Sequence, residues 1–232
     1  FYRLNFKQVG IPSFLMALYV GLTQMVVALL VGYGFARFKF RGSRVLFACV
    51  ILTLVVPPQT ILIPLYLRFR YFDILGIFKA ITGHSLKLID TYWCQILLSA
   101  TGLGWKNGLY IYLMRQYFRG VPKALEEAAY IDGARTFKAF VKIMVPSALP
   151  MMLTVFLFSF SWQWTDTFYT GTFLIKKKLL ATSVNAITHE NELMAFNLQQ
   201  TAILIILIPL IFLFVVTQRY FVEGIERSGL TG

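Results

Sequence analysis

Four stretches of this chain run for 23 to 29 residues without a charged side chain. Because about 20 helical residues cross a hydrocarbon core ~30 Å thick, each stretch is long enough to span a membrane as a helix. Hydrophobic residues make up 58% of the chain and charged residues 14%, which is too apolar for a soluble fold. We therefore predict an all-α integral membrane protein, a polytopic transmembrane helix bundle, with spans at residues 8–36, 45–67, 143–165 and 193–218.

A fifth span is expected at residues 91–114, as a broken helix. Lys106 and Asn107 interrupt this mostly apolar stretch, and three glycines lie close by. A lysine at the centre of a membrane costs about 2.5 kcal/mol or more, and irregular backbone at that depth is tolerated only under protein or beside water. We expect the first part to lie near the outer surface and a helix over roughly residues 105–118 to run inward.

The basic residues indicate the orientation of the spans. Residues 37–44 carry four basic side chains between the first two spans, which places that loop in the cytoplasm. Alternation then places residues 115–142, with six basic side chains, and the C-terminal tail from Arg219 on the same side. The bias is modest, because the opposite side also carries basic residues, namely Arg68, Arg70, Lys79, Lys87 and residues 176–178.

This topology puts residue 1 outside, with nothing ahead of it that could carry it across the membrane. The chain also begins with Phe1 rather than Met. We therefore expect a further span ahead of residue 1, so that residues 1–232 form a single transmembrane domain with five of six spans. The alternative is that Phe1 is a mature terminus left by signal cleavage.

The net charge of +12 raises the alternative of nucleic-acid binding. The basic residues, however, sit in short clusters at the ends of apolar runs, whereas nucleic-acid proteins gather them into one patch. The histidines and cysteines are isolated and show no metal-ligand spacing, and no convergent acids or histidines indicate an enzyme. The four uncharged stretches contain no acid, which favours a neutral solute over proton or sodium coupling.

The cytoplasmic segment at about residues 119–146 has a helix–glycine–helix pattern. Pro122 suits the first turn of a helix, where its missing N–H is not needed, and two glutamates in the next turn suit the positive end of the helix dipole. Gly133 suits the left-handed position that ends a helix, and a second helix is expected over residues 134–144. Such a surface fits the docking of another protein, and the alternative is an ordinary amphipathic loop helix.

In this segment, Glu127-Ala128-Ala129 is followed by Gly133 and by Ile143-x-Val145-Pro146. The spacing resembles the EAA motif of ABC importer permeases, which reads EAA, three residues, Gly, nine residues, Ile-x-Leu-Pro. Valine in place of leucine is the one departure. The segments FARFKFRGSRVLF, PPQTILIPLYL, LMRQYFRGVPKALEEAAYIDGA and QRYFVEGIERSGLTG are similar to those of carbohydrate-importer permeases of the MalG-like type. The resemblance covers nearly the whole chain and implies the type I ABC importer permease fold, commonly with six spans.

The resemblance implies half of a pore for a sugar or oligosaccharide, in a bacterial or archaeal cell (inner) membrane. Its implied partners are a second homologous permease, two cytoplasmic ATPase subunits and an extracytoplasmic solute-binding protein. The chain would be non-catalytic and hold no cofactor, because ATP and Mg are bound by the ATPase subunits. Glu127 is expected to meet a basic group on the ATPase, and Gly133 to provide the bend. The full set of implied coupling residues is Glu126, Glu127, Ala128, Ala129, Asp132 and Gly133.

The solute path is expected near the outer end of the third uncharged stretch and in the first. Aromatic rings stack on sugar faces and polar groups bond hydroxyls, which suggests Gln24, Trp162, Gln163, Trp164 and Asp166. The alternative for the tryptophans is an outer aromatic belt, which we expect for at least one of them. Asp166 is expected at the outer mouth rather than at mid-membrane.

Three further points stay open at this stage. Pro57, Pro58 and Pro64 predict a kinked second span, which either acts as a hinge or only packs. The stretch from Ile77 to Lys87 is longer than the usual external connection and has no predicted role. The alternative functions are a permease for another solute and a stand-alone secondary transporter, which would show internal repeats and buried charge.

Overall fold

The computed structural model describes residues 6–74, 76–184, 186–188 and 191–229. Helices form most of it: α1 Phe6–Arg37, α2 Ser43–Val55, α3 Pro58–Arg70, α4 Ile77–Thr82, α5 Trp93–Ala100, α6 Asn107–Gly120, α7 Ala124–Ile131, α8 Thr136–Ala139, a π-helical segment Phe140–Met144, α9 Val145–Ser147, α10 Leu149–Thr165, α11 Phe168–Phe173, α12 Leu180–Val184 and α13 Glu192–Gly229. The described residues contain no β-strand, and the predicted all-α fold is confirmed.

Two helices are long and apolar enough to cross a membrane as single rods. They lie at Lys7–Arg37 and Glu192–Tyr220, with mean hydropathies of 2.2 and 2.6. These helices confirm the first and the last predicted spans. The expected span ahead of residue 1 concerns a segment outside the described residues.

The second predicted span is two helices that meet at 103°, a much sharper bend than the predicted kink. Val56 and Pro57 each precede a proline, and both are extended, with ψ of 120° and 134°. A proline ring disfavours helical backbone in the residue before it, so two consecutive X-Pro steps end α2 and start α3 in a new direction. Taken together, α2 and α3 are long and apolar enough for one membrane span, which would be a broken one.

The third predicted span, residues 143–165, was placed too early. The segment Thr136–Ser147 is bent by 71° from α10, which begins only at Leu149. Pro150 has no N–H to donate to the carbonyl of residue 146, so the helical hydrogen-bond ladder is interrupted there. The straight part, α10, has 17 residues and is about 25 Å long.

The predicted break in the fifth span is confirmed. Helix α5 ends at Ala100, and α6 starts at Asn107, two residues later than expected. Lys106 adopts a left-handed conformation, with φ of 60°, at the start of α6. Neither half alone has the length of a membrane span.

The core lies where α1 packs against α6 and α10, while α13 packs on the far side of α10. Gly32 allows the close approach of α1 and α6. A Cβ added there would lie 2.6 Å from the Met114 Cβ and 3.0 Å from the Arg115 backbone nitrogen. A Cβ added at Gly34 would meet no atom within 4 Å.

The outer connection between α3 and α5 is closed by a short antiparallel bridge. Phe72 and Leu86 exchange two backbone hydrogen bonds of 2.9 Å, and Asp73 accepts the N–H of Phe78. At its end, Asp90 accepts the backbone N–H groups of Lys176 and Ile175, which hold the pKa of its carboxyl below the usual range. These bonds tie the long stretch after α3 to the segment after α11.

Gly32→Ala is expected to destabilise the bundle, because the new methyl group would overlap α6. Overpacking of this kind costs about 1–3 kcal/mol, which a thermal melt of the detergent-purified protein would detect. Gly34→Ala is the matched control, and we expect it to be neutral or slightly stabilising. An equal loss in both variants would contradict the close α1–α6 contact.

Candidate functional site

The loop at about residues 119–146 has the predicted helix–glycine–helix form. Helix α7 ends before Gly133, whose φ of 77° is the left-handed conformation expected of it. The second helix begins at Thr136 rather than at residue 134, because Arg135 is extended with ψ of 160°. The π-helical segment that follows was not predicted. The Tyr117 hydroxyl donates to the Ser147 carbonyl and so ties the far end of this loop to α6.

The loop carries exposed apolar and acidic side chains, together with the exposed basic residues Lys123, Arg135 and Lys138. Ile131 and Phe137 are 87% and 77% exposed, and Glu127 and Asp132 are exposed beside them. An exposed apolar patch with charged neighbours marks a protein-interaction surface. We call this patch the tip surface, and its members are Leu125, Glu127, Ala128, Tyr130, Ile131, Asp132 and Phe137.

The two adjacent glutamates of α7 point to different places. Glu127 belongs to the tip surface, whereas Glu126 is 6% exposed and turns inward with Ala129, three residues further on. The Tyr33 hydroxyl donates to Glu126 Oε1 at 2.7 Å, and Arg37 Nε lies 2.8 Å from Glu126 Oε2. Glu126 therefore binds to α1 and is not available to another protein.

Arg37 also donates from Nη2 to the Val121 carbonyl at 2.8 Å, which fixes the start of the loop. The Tyr33 ring packs among Phe118 and Phe140, with centroid distances of 5.3 and 4.5 Å. The Tyr33–Arg37–Glu126 cluster thus attaches α7 to the C-terminal end of α1. Tyr33 was not predicted as a functional residue, and Arg37 was read only as a topology signal.

The predicted solute-path residues do meet in part at an outer cavity of about 30 Å³ between α1, α5 and α10. Gln24, Trp162 and Gln163 line it, and Gln24 Nε2 reaches the Trp105 carbonyl at 3.4 Å. Within the described part of the chain, three buried polar atoms of this cavity have no hydrogen-bond partner: Gln95 Oε1, Trp105 Nε1 and Gln163 Nε2. Buried polar groups are normally satisfied, so this cluster indicates a water or ligand position. Gln95 and Trp105 were not predicted.

Two predicted path residues have structural roles instead. Trp164 is 4% exposed, stacks on Phe160 and donates its Nε1–H to the Ile206 carbonyl at 3.0 Å. Asp166 lines the cavity, but its two oxygens accept four hydrogen bonds from residues 168–170. Those bonds fill its roughly four acceptor positions, so Asp166 orients α11 and is not free for a sugar. Trp162 is 43% exposed, and its place in an aromatic belt stays a prediction.

A family model described as a binding-protein-dependent transport system inner membrane component matches residues 24–227. A protein of Pyrococcus horikoshii described as a probable ABC transporter permease is 32% identical over 214 residues, which are 91% of this chain and 71% of that protein. An alpha-glucoside transport system permease protein of Rhizobium meliloti is 33% identical, over 95% of this chain and 56% of its own length.

A maltodextrin transport system permease protein of Bacillus subtilis is 25% identical over 95% of this chain and 74% of its own length. The structure is also similar to a solved bacterial ABC transporter involved in the import of the acidic polysaccharide alginate. That match has a TM-score of 0.61 at 23% identity and covers 90% of this chain and 75% of the other. At this identity the likeness concerns the fold alone.

Glu126→Gln is expected to release α7 from α1, because the Arg37 guanidinium would stay buried without its counter-charge. Breaking such a pair costs about 3–5 kcal/mol, so amide exchange over residues 121–133 should rise on the order of 100-fold. Glu127→Gln, at the adjacent exposed position, should leave exchange unchanged. The double variant with Arg37→Glu and Glu126→Arg should recover part of the protection; equal exchange in both single variants would refute the attachment.

Proposed function

We infer the function of this chain from its family: it belongs to the binding-protein-dependent transport system inner membrane components. The resemblance to ABC importer permeases is thereby confirmed. The chain is a permease subunit of an ABC importer, and the names of its alpha-glucoside and maltodextrin relatives support a sugar or oligosaccharide as the solute. The observation that carries the site assignment is the exposed tip surface beside a buried, α1-bound Glu126.

The partners that this proposal requires are two cytoplasmic ATPase subunits, a second permease and an extracytoplasmic solute-binding protein. The chain itself carries out no hydrolysis, and ATP and Mg belong to the ATPase subunits. The tip surface fits the ATPase, since an exposed apolar patch with Glu127 and Asp132 suits a partner with basic groups around an apolar cleft. This assignment puts the loop and the C-terminus in the cytoplasm.

The coupling mechanism follows from the two faces of α7. Closure of the ATPase dimer moves the tip surface. The Tyr33–Arg37–Glu126 cluster passes that movement to α1, because its members are buried and its contacts are 2.7 and 2.8 Å long. Gly133 provides the turn between α7 and α8, and we propose that the two helices move as one unit. The bundle then changes between inward-open and outward-open states by rigid-body motion of helices.

The outer cavity is the part of the solute path that this chain contributes. Its unpartnered amide and indole groups offer donors and an acceptor to sugar hydroxyls, and Trp162 offers an aromatic face. Specificity is shared with the second permease and with the solute-binding protein. A stand-alone secondary transporter is the second candidate, and a stable complex with an ATPase would exclude it.

Glu127→Lys and Gly133→Pro are expected to abolish the stimulation of ATP hydrolysis by loaded binding protein, although both variants still insert in the membrane. Glu127→Lys reverses the charge of the tip surface, and proline cannot adopt the positive φ of residue 133. The measurement is ATPase activity of the assembled complex in proteoliposomes. Glu192→Lys, an exposed reversal in the first turn of α13, is the control and should keep normal stimulation. Normal stimulation of ATP hydrolysis in either Glu127→Lys or Gly133→Pro would contradict the assignment of this loop as the coupling element.

Gln163→Leu is expected to weaken solute recognition, since its side chain would no longer offer an N–H to the cavity. A hydrogen bond to a neutral group contributes about 0.5–1.5 kcal/mol, so the half-maximal sugar concentration for uptake should rise roughly three- to tenfold. Gln200→Leu, on the exposed side of α13, is the matched control. Uptake by Gln163→Leu that matches the control would place the sugar elsewhere.

A further inference from the structure

A second cavity, of about 210 Å³, lies at the break between α5 and α6. It is bounded by the end of α2, the start of α3 and residues 102–108, and it adjoins the outer cavity, since Trp105 and Tyr169 line both. At ~30 Å³ per water, it has room for roughly seven waters, or for one sugar ring. None of the predicted solute-path residues lines it.

Lys106 is an exposed residue that lines this cavity with a positive charge. Helix α6 runs for 14 residues from Asn107 to Gly120, so Lys106 lies about 21 Å from the Gly120 end of that helix. If the Gly120 end lies at the inner membrane boundary, as the proposed function requires, Lys106 falls within a hydrocarbon core ~30 Å thick. Its ammonium lies 5.3 Å from the Trp162 ring centroid, and no carboxylate of the described residues forms an ion pair with it. A charge at such depth is a functional-site candidate by default.

The groups around Lys106 define the chemistry of a ligand. The N-terminus of α6 adds a positive helix-dipole end to the ammonium, and both favour an anion. Asn107 is 1% exposed and lines the cavity. Its Nδ2 donates to the Gly102 carbonyl at 2.9 Å, but its Oδ1 has no hydrogen-bond partner among the residues that the structure describes. A free acceptor of this kind suits a hydroxyl donor, and the adjacent indole rings suit the apolar face of a sugar.

The outer surface is also positive, against the usual positive-inside bias. By the predicted topology, at least eight described basic residues lie on that side, namely Lys7, Arg68, Arg70, Lys79, Lys87 and residues 176–178. The acids described near that surface are Asp73 and Asp90, which are partly exposed, and Glu192, which is exposed. A surface of one sign raises the local concentration of oppositely charged solutes. Asp166, the carboxylate in the adjoining cavity, is already engaged by four hydrogen bonds.

We propose that the cavity at the α5–α6 break is a subsite for a sugar acid. Lys106 and the N-terminus of α6 bind the carboxylate, Asn107 Oδ1 accepts a hydroxyl hydrogen, and the Trp105 indole, which lines the cavity, packs on the ring. This inference rests on the proposed function for the route of the solute, and it replaces the neutral solute expected from the uncharged stretches. The uncharged stretches do not contain Lys106, because Lys106 lies in the broken span.

The test compares D-glucuronate with D-glucose, which share a ring and differ in the carboxylate. Binding of each to the whole transporter in nanodiscs is measured by calorimetry and by tryptophan fluorescence, at low and high salt. We expect wild-type protein to bind D-glucuronate at least tenfold more tightly than D-glucose, with a preference that falls as salt rises. Lys106→Met should remove the preference, and Lys106→Arg should keep most of it. Lys79→Met, on the exposed outer loop, should change it less than twofold.

Equal affinity of the wild-type protein for both probes would overturn the subsite, whatever the variants do. A preference that survives Lys106→Met but is lost in Lys79→Met would overturn it in favour of surface attraction. Co-purification of ATPase subunits with the wild-type chain reports separately on the proposed function, because it does not depend on which probe binds.

Discussion

The buried carboxylate of Glu126 fixes how α7 attaches to the rest of the bundle. It accepts a hydrogen bond from the Tyr33 hydroxyl and lies 2.8 Å from Arg37 Nε, so two polar side chains of α1 face one carboxylate of α7 in a buried position. Removing any one of them would leave a buried charge or an unpaired donor, which is far more costly than replacing all three with apolar groups. The loop is therefore held in one orientation relative to α1. This fixed orientation is what lets Glu127 and Ile131 face outward together.

The breaks between α2 and α3 and between α5 and α6 border the larger cavity. Consecutive X-Pro steps turn α3 away from α2, and the left-handed Lys106 separates α5 from α6. Non-helical backbone at membrane depth is tolerated only beside protein or a water-filled space, and cavities adjoin the second break. Among the described residues, one buried polar atom of each of Gln95, Trp105, Asn107 and Gln163, which line these cavities, has no hydrogen-bond partner. Buried polar atoms without a partner are costly unless a water or a ligand reaches them. Their position beside the cavities therefore fits a water or ligand site.

Much of this was predictable from local pattern, and the rest depends on contacts between distant segments. The spacing of Gly133 predicted its left-handed turn, and Lys106 with its glycines predicted the broken span. Trp162 and Trp164 lie two residues apart on a helix, so opposite burial could have been expected. The burial of Glu126 could not, because its partners Tyr33 and Arg37 lie on another helix. An uncharged stretch shows which residues lipid tolerates, but it does not show where a helix begins or ends. The start of α10 at Leu149 was therefore not predicted from the stretch that begins at residue 143.

Two helices connect the tip surface to the cavities, and this arrangement sets how a loop movement reaches a solute. Helix α1 carries Arg37 at one end and Gln24 thirteen residues away, about 20 Å along its axis. Helix α6 carries Gly120 at the loop and Asn107 at the break. The close contact at Gly32 leaves no space between the two helices, so the proposed coupling predicts that α1 and α6 move as one body. Under that proposal, a rotation delivered through Glu126 would displace Gln24 and Lys106 jointly and change the shape of both cavities.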